Sequence, residues 1–498
     1  MASIRKQSII SILLVYVGFV IGAVNTYLYV KSGSAFSPAQ YGLTKIFFDF
    51  GQNMFTIASL GVMPVIYKFY PYYKDNLEEH KIDLVTWAMI AALVGFILVT
   101  IVGIYFEPLI ARKYTERSKL IVDYYYWMFP FALGMLCFSV IEGFCWAVQK
   151  TVFSNFLKET VMRLVTTIFI LLFYFRWISF ATFMHLFSSL YAIIFLVLII
   201  YLRREGKLYL NLKITRVTKK FYRKMFTMQF LTFSSTVISS LALTLDGPII
   251  AGFRGISAVA IFAMAQYVAN LVVVPQRSIQ AIAAGVLSKA WKDKDLGEIS
   301  RIYERSCINL LLLALFIFGN VWLNLVPAMH LVGIGEEYYL GVSVVLILSI
   351  ARIIDAGTGV NGTIIGTSLL WRFDFITTTG ILLVLRLPLT WILIKRYGIV
   401  GAAYADVTAV VAFNYVRFEF LRRKFGMQPF HLNNLYSLLL AVVAYLVPWL
   451  LLGGMGGWTG LGLRAVIFSG IMAGGVWYFR LTPDVMQLYH RFLARREK

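Results

Sequence analysis

The sequence predicts an all-α integral membrane protein of about fourteen transmembrane helices, two six-helix lobes related by pseudo-twofold symmetry and followed by two C-terminal helices. Composition gives the first argument. Of 498 residues, 60% are hydrophobic and 14% charged, whereas soluble domains carry about 45–50% apolar and roughly 25% charged residues. The second argument is length: the apolar runs recur at the roughly 20 residues that span a hydrocarbon core. The third is an internal repeat that pairs the two halves.

Runs bounded by charge or turn residues lie at 8–30, 43–66, 84–106, 121–147, 159–175, 178–202, 226–251, 257–285, 304–328, 338–366, 373–394, 399–416, 433–452 and 459–479. The first is longer than a signal-peptide core of about 7–15 residues and has no small-residue cleavage pattern behind it, so it reads as a retained span. The organisation that follows is an N-lobe at 1–202, a basic cytoplasmic linker at 203–225, a C-lobe at 226–424, and spans thirteen and fourteen with a cytoplasmic tail at 425–498. Cys137, Cys145 and Cys307 all lie inside apolar runs. They form no close-spaced pair or His cluster, which predicts neither a disulfide framework nor a metal site.

Cationic short loops stay in the cytoplasm, so Lys and Arg fix the orientation. With the amino terminus inside, thirty Lys and Arg residues fall on inner segments and nine on outer ones. The linker alone carries nine, from Arg203 to Lys224, against one acid, Glu205. Both termini are therefore expected in the cytoplasm. One outer loop departs from the rule, with Arg112, Lys113, Arg117 and Lys119 together, and is read as a solvated loop. The net charge of +22 is scattered over inner loops without the interleaved aromatics of a stacking groove. Membrane lipids, not nucleic acid, are the expected anionic partners, at about 1 kcal/mol per juxtamembrane cation.

Spans two and eight carry the repeat. Lys74 and Asp75 match Lys292 and Asp293 at an offset of 218, and Leu77 and Glu79 match Leu296 and Glu298 at 219. Ionisable groups at membrane depth are expensive unless they face a cavity or a partner. Taking about 100° per residue, Lys45, Asp49, Gln52, Thr56 and Ser59 share an arc of about 80° on span two, and Gln266, Asn270, Arg277 and Gln280 do so on span eight. The repeat aligns Gln52 with Asn270 and Ser59 with Arg277. The two stripes predict a water-accessible cavity, with Asn25 of span one and Asp246 of span seven added to its lining. Arg277, too deep in its span for easy snorkelling, is the sharpest candidate; Lys45 and Asp49, spaced i, i+4, also suit simple mutual neutralisation.

Arg352 and Asp355, spaced i, i+3, read as a structural pair. Glu142, Arg163, Arg386 and Asp406 read as interhelical clasps. Pro275, two residues before Arg277, is the in-span proline most suited to a hinge.

The chain resembles the polysaccharide-transport branch of the multidrug/oligosaccharidyl-lipid/polysaccharide (MOP) exporter superfamily, the O-antigen (Wzx-type) flippases, whose fold is MATE-like. The resemblance rests on Ser37 to Gly42 after span one, Leu60 and Gly61 late in span two, Leu245 and Asp246, Tyr267 and Pro275 in spans seven and eight, and Tyr397 to Ala403 opening span twelve. It implies a transporter of the bacterial inner membrane, not an enzyme. The implied cargo is an undecaprenyl-diphosphate-linked glycan, an O-antigen or exopolysaccharide repeat unit, moved between leaflets by alternating access, with polysaccharide assembly proteins as partners. No cofactor is expected. A carboxylate such as Asp49 or Asp246 is suited to coupling a proton or sodium ion. A cation-coupled multidrug extruder of the same fold is the alternative, and its cavity would favour acids; deep Arg277 argues against it. A membrane glycosyltransferase or polymerase would call for a long periplasmic loop, and the only large loop is inner and basic. No G-x-x-x-x-G-K-[ST] phosphate loop occurs, so ATP hydrolysis is not expected of this chain.

Overall fold

Inside a bilayer, backbone N–H and C=O groups must be satisfied within the protein, and a helix does this within one segment. The computed structural model describes residues 2–148 and 150–484, and these form helices with no strand among them. Eleven helices among the described residues are long and apolar enough to cross a membrane. The three remaining expected spans are helical too. The first is α1 (Ala2–Val30), which includes the apolar stretch Val17–Val30. The second is broken into α2 (Pro38–Ala58) and α3 (Val62–Lys74). The fifth is assembled from α7 (Thr151–Asn155), a π-helical segment at Phe156–Val161 and α8 (Met162–Tyr174), and carries Lys158, Glu159 and Arg163.

The chain packs as two compact units, Met1–Ala260 and Ile261–Lys498. Besides the helices named above, the first holds α4 (Leu84–Tyr114), α5 (Lys119–Asp123), α6 (Met128–Ala147), α9 (Phe180–Ser188), α10 (Leu190–Arg204), α11 (Arg216–Thr244) and α12 (Asp246–Arg254). Because α11 packs against α2 and α3, the seventh crossing belongs by packing to the first unit. The lobe boundary at 202/226 is instead a statement about sequence repetition. The core of this unit is aromatic: Phe131 of α6 stacks on Phe187 of α9 at 5.6 Å between centroids and meets Phe47 of α2 edge-on at 6.0 Å. On the outer side of α4, Ile97, Leu98, Ile101 and Val102 are exposed, the apolar band expected of a lipid-facing helix.

Two loops of this unit are tied down. In the basic linker, Asn211 donates from Nδ2 to the carbonyl of Lys81 at 2.6 Å, and Lys207 pairs with Glu79. Buried Asp83 accepts from the Thr215 N–H, the Thr215 hydroxyl and the Thr218 hydroxyl at 2.7–2.9 Å, anchoring the start of α11. The basic loop around residues 112–119 clasps α12: Ser118 donates to the carbonyl of Ala251 at 2.9 Å, Tyr114 to that of Pro248 at 3.0 Å, and Arg117 to that of Phe253.

α13 (Ile256–Asn270) carries the chain from the first unit into the second. The second unit continues with α14 (Val274–Asp293), α15 (Leu296–Leu331), α16 (Val342–Gly357), α17 (Asn361–Thr367), α18 (Trp371–Ile381), α19 (Leu387–Tyr397), α20 (Ile399–Phe425), α21 (Leu432–Leu452) and α22 (Gly457–Tyr478). Fully buried Leu287, Tyr303, Cys307 and Leu421 centre one core. Phe468 of α22 centres another with Leu312 and Leu315 of α15.

Candidate functional site

The decisive local feature of the first unit is the break between α2 and α3. Leu60 and Gly61 both adopt left-handed backbone, with φ of 47° and 74°. Gly61 has a second reason to be glycine, since a Cβ there would lie 2.6 Å from the carbonyl oxygen of Gln229. Irregular backbone at membrane depth is tolerated where it is buried in protein or lines a cavity. Here a cavity of about 280 Å³ abuts the break. Its polar lining includes Gln52 and Ser59 of α2, Ser139 and Glu142 of α6, Lys158 of the π-helical segment and Tyr191 of α10.

Glu142 is the buried charge of this cavity, with 5% exposure. Its carboxylate accepts from Lys158 Nζ at 3.0 and 3.3 Å. Lys158 is more open, and its ammonium has three N–H donors. The pair joins two helices sixteen residues apart in sequence, so no helical periodicity announces it.

The stripe on α2 divides. Lys45 Nζ donates to Asp49 Oδ1 at 2.8 Å. Asp49 is buried, and its Oδ2 has no hydrogen-bond partner among the described residues. That oxygen faces Gly247 of α12, where a Cβ would lie 2.2 Å away, so the glycine lets α12 approach this carboxylate; the neighbouring Asp246 is buried. Thr56 is buried against α11 and donates to the Gln52 carbonyl at 2.6 Å, while lying 3.2 Å from Ser240 Oγ. Asn53 accepts there from Thr244 at 2.7 Å and Ser240 at 3.3 Å. Of the stripe, Gln52 and Ser59 reach the cavity. Asn25 is held elsewhere: its Nδ2 donates to the carbonyl of Arg163 at 2.9 Å and its Oδ1 accepts from Thr167 at 2.6 Å, pinning α1 to α8.

The repeat-equivalent crossing of the second unit is also interrupted, by a 3₁₀ turn at Leu271–Val273 between α13 and α14. A 3₁₀ residue advances about 120° and an α residue about 100°, so three of them shift the helical phase by roughly 60°. With that shift added, Gln266, Asn270, Arg277 and Gln280 still fall within an arc of about 80°. Arg277 is exposed and Gln280 half-buried. Among the described residues Arg277 makes no ion pair. Its neighbour Gln276 is the buried one, and donates to Asp355 Oδ2 at 3.0 Å.

Asp355 lies in a network wider than an i, i+3 pair. Its Oδ1 accepts from Asn414 Nδ2 at 2.9 Å. Asn414 Oδ1 in turn accepts from Thr358 at 2.8 Å and Asn361 at 2.9 Å. Arg352 lies 3.3 Å from Asp406 and donates from Nε to Asn270 at 3.2 Å. Arg386 pairs with the same Asp406 at 3.1 Å. Four crossings of the second unit are joined through these contacts.

Residues 4–288 match the family described as polysaccharide biosynthesis protein, over half of the chain. The chain belongs to that family. Solved structures similar to this polysaccharide biosynthesis family member include an inward-facing multidrug resistance MATE family transporter of the MOP superfamily, with TM-score 0.64 and 13% identity over 83% of this chain and 99% of that one. A MATE transporter from Vibrio cholerae aligns with TM-score 0.53 and 15% identity over 85% and 98%. A MOP superfamily transporter from Pyrococcus furiosus gives TM-score 0.52 and 13% identity over 85% and 96%. No curated protein matches. At these identities the likeness establishes the fold: the chain is a multi-pass membrane protein with the MATE fold of the MOP superfamily.

Proposed function

We propose that this protein is a transporter that moves a lipid-linked oligosaccharide, an undecaprenyl-diphosphate-linked repeat unit, across the bacterial inner membrane by alternating access, with both termini in the cytoplasm. The observation that carries this reading is a cavity at membrane depth, beside a broken crossing, whose lining includes an amide, several hydroxyls and an ion pair, in a chain of a polysaccharide biosynthesis family. A glycan needs many hydrogen-bond partners and little net charge. An unmatched buried polar group costs about 1–3 kcal/mol, so a cavity rich in donors and acceptors suits hydroxylated cargo. Exposed Arg277 of the second unit offers a cation suited to a diphosphate, for which charge-assisted contacts are the strong ones. The polyprenyl tail stays in the lipid. Buried Asp49, its charge met by one lysine, is the candidate coupling carboxylate, with Asp246 as a second.

A multidrug extruder of cations would need an available acid in its cavity. Here the cavity acid Glu142 is already neutralised by Lys158. The Pyrococcus furiosus transporter is described as having a pocket of reverse polarity that suggests a different function, which makes pocket polarity the property to weigh in this fold.

Deleting the gene tests the reading. The expected result is accumulation of an undecaprenyl-diphosphate-linked oligosaccharide on the inner leaflet and loss of surface polysaccharide. A deletion strain with normal glycans and heightened drug sensitivity would overturn it in favour of the extruder.

A further inference from the structure

The Glu142–Lys158 cavity is more specific than a wet passage. Its volume of about 280 Å³ sits at the lower edge of the roughly 300–1,000 Å³ typical of small-molecule sites, which is room for one sugar ring and not for a whole repeat unit. Two aromatic residues stand in its wall, Tyr67 of α3 and Trp146 of α6, with ring centroids 6.3 Å apart and planes inclined by 33°. Both remain partly exposed, at 42% and 50%. Aromatic side chains that keep an open face offer apolar area at small entropic loss and a polar tip at one end. Such faces complement the C–H side of a pyranose, whose hydroxyls project from its rim.

The polar half of the wall meets those hydroxyls. Glu142 retains lone pairs beyond those used by Lys158, and Lys158 retains N–H donors beyond those used by Glu142. Adjacent acceptor and donor of opposite charge match the two hydroxyls of a vicinal diol, and their charges cancel. The cavity has no surplus cation for a uronate and no surplus acid for an amine. Gln52 and Ser139 complete the hydrogen-bonding wall.

We infer that the first unit carries a monosaccharide subsite that holds one neutral pyranose of the cargo between the Tyr67/Trp146 faces and the Glu142–Lys158 pair. This rests on the flippase reading for its biological meaning, but not for its test.

The test titrates methyl glucoside, methyl galactoside, methyl mannoside and glucuronate into purified full-length protein in lipid nanodiscs, reading tryptophan fluorescence against a Trp146→Phe control, since the chain holds eleven tryptophans. At least one neutral pyranoside is expected to give a saturable change that vanishes in Trp146→Phe and weakens about tenfold or more in Glu142→Gln, the loss of one charged hydrogen bond. Glucuronate is expected to give none. Thermal melting of Glu142→Gln separates a site defect from misfolding, because half-open Lys158 resolvates when its partner is neutralised. The inference is overturned if no neutral pyranoside changes the fluorescence, if glucuronate binds best, or if a well-folded Glu142→Gln protein binds as tightly as the parent. Its failure is distinct from that of the flippase reading. Pyranoside binding in a protein whose deletion accumulates no lipid-linked intermediate refutes transport and leaves the subsite standing; accumulation without pyranoside binding does the reverse.

Discussion

The broken crossings at 38–74 and 256–293 start from matching polar patterns and place them differently. In the first unit the break falls after the polar stretch, at Ser59 to Gly61, and Gln52 and Ser59 border a cavity. In the second it falls within the stretch, at Leu271–Val273, and the polar groups on either side of it, half-buried Asn270 and buried Gln276, are tied to Arg352 and Asp355. One lobe leaves polar groups open to a ligand, while the other uses them to hold helices together. A repeat thus conserves where polar residues stand along a crossing without conserving what they do.

Substitutions should sharpen this contrast. The largest effect is expected from Asp406→Ala, which removes the carboxylate that Arg352 and Arg386 share. Removing one partner of a buried charge cluster costs about 3–5 kcal/mol, so membrane abundance and melting temperature should both collapse; normal abundance would erase the structural role of the second network. Gly61→Val should come next. Left-handed strain and the clash with Gln229 predict about 1–3 kcal/mol of destabilisation, seen as a lower melting temperature, with export falling further than abundance. Unchanged melting would mean the break tolerates a side chain. Arg277→Ala should leave abundance normal, the residue being exposed, while cutting export about tenfold, the equivalent of one lost charge-assisted contact. Full surface-polysaccharide levels would remove Arg277 from the transport path. Lys207→Ala, at a half-open ion pair in the linker, should shift stability by less than about 1 kcal/mol; a larger loss would make the linker a structural strap.

The fold was legible because hydrocarbon thickness forces long apolar runs, and such runs survive in any reading of hydropathy. The polar arc of α2 follows from the sequence for a similar reason, since within one uninterrupted helix the phase accumulates evenly, but which neighbour each of Asp49, Gln52 and Thr56 meets does not. Asn25 looked available because a single helix does not show which neighbour will hold its amide. Glu142 does read as an interhelical clasp in the sequence, but its partner Lys158 escaped, since charge pairing between crossings depends on tertiary packing that no periodicity encodes. Leu60 and Gly61 enter the sequence reading only through the family resemblance, within a span taken as continuous over 43–66, and nothing local told that the helix breaks there.

Reconstitution tests the central claim most directly. Purified protein in proteoliposomes would be given the lipid-linked oligosaccharide extracted from a deletion strain, and movement of its glycan between leaflets followed by accessibility to a membrane-impermeant glycosidase. Transfer that needs the protein and slows in Glu142→Gln is the predicted result; transfer no faster than in protein-free vesicles, with the protein folded and correctly inserted, would contradict it.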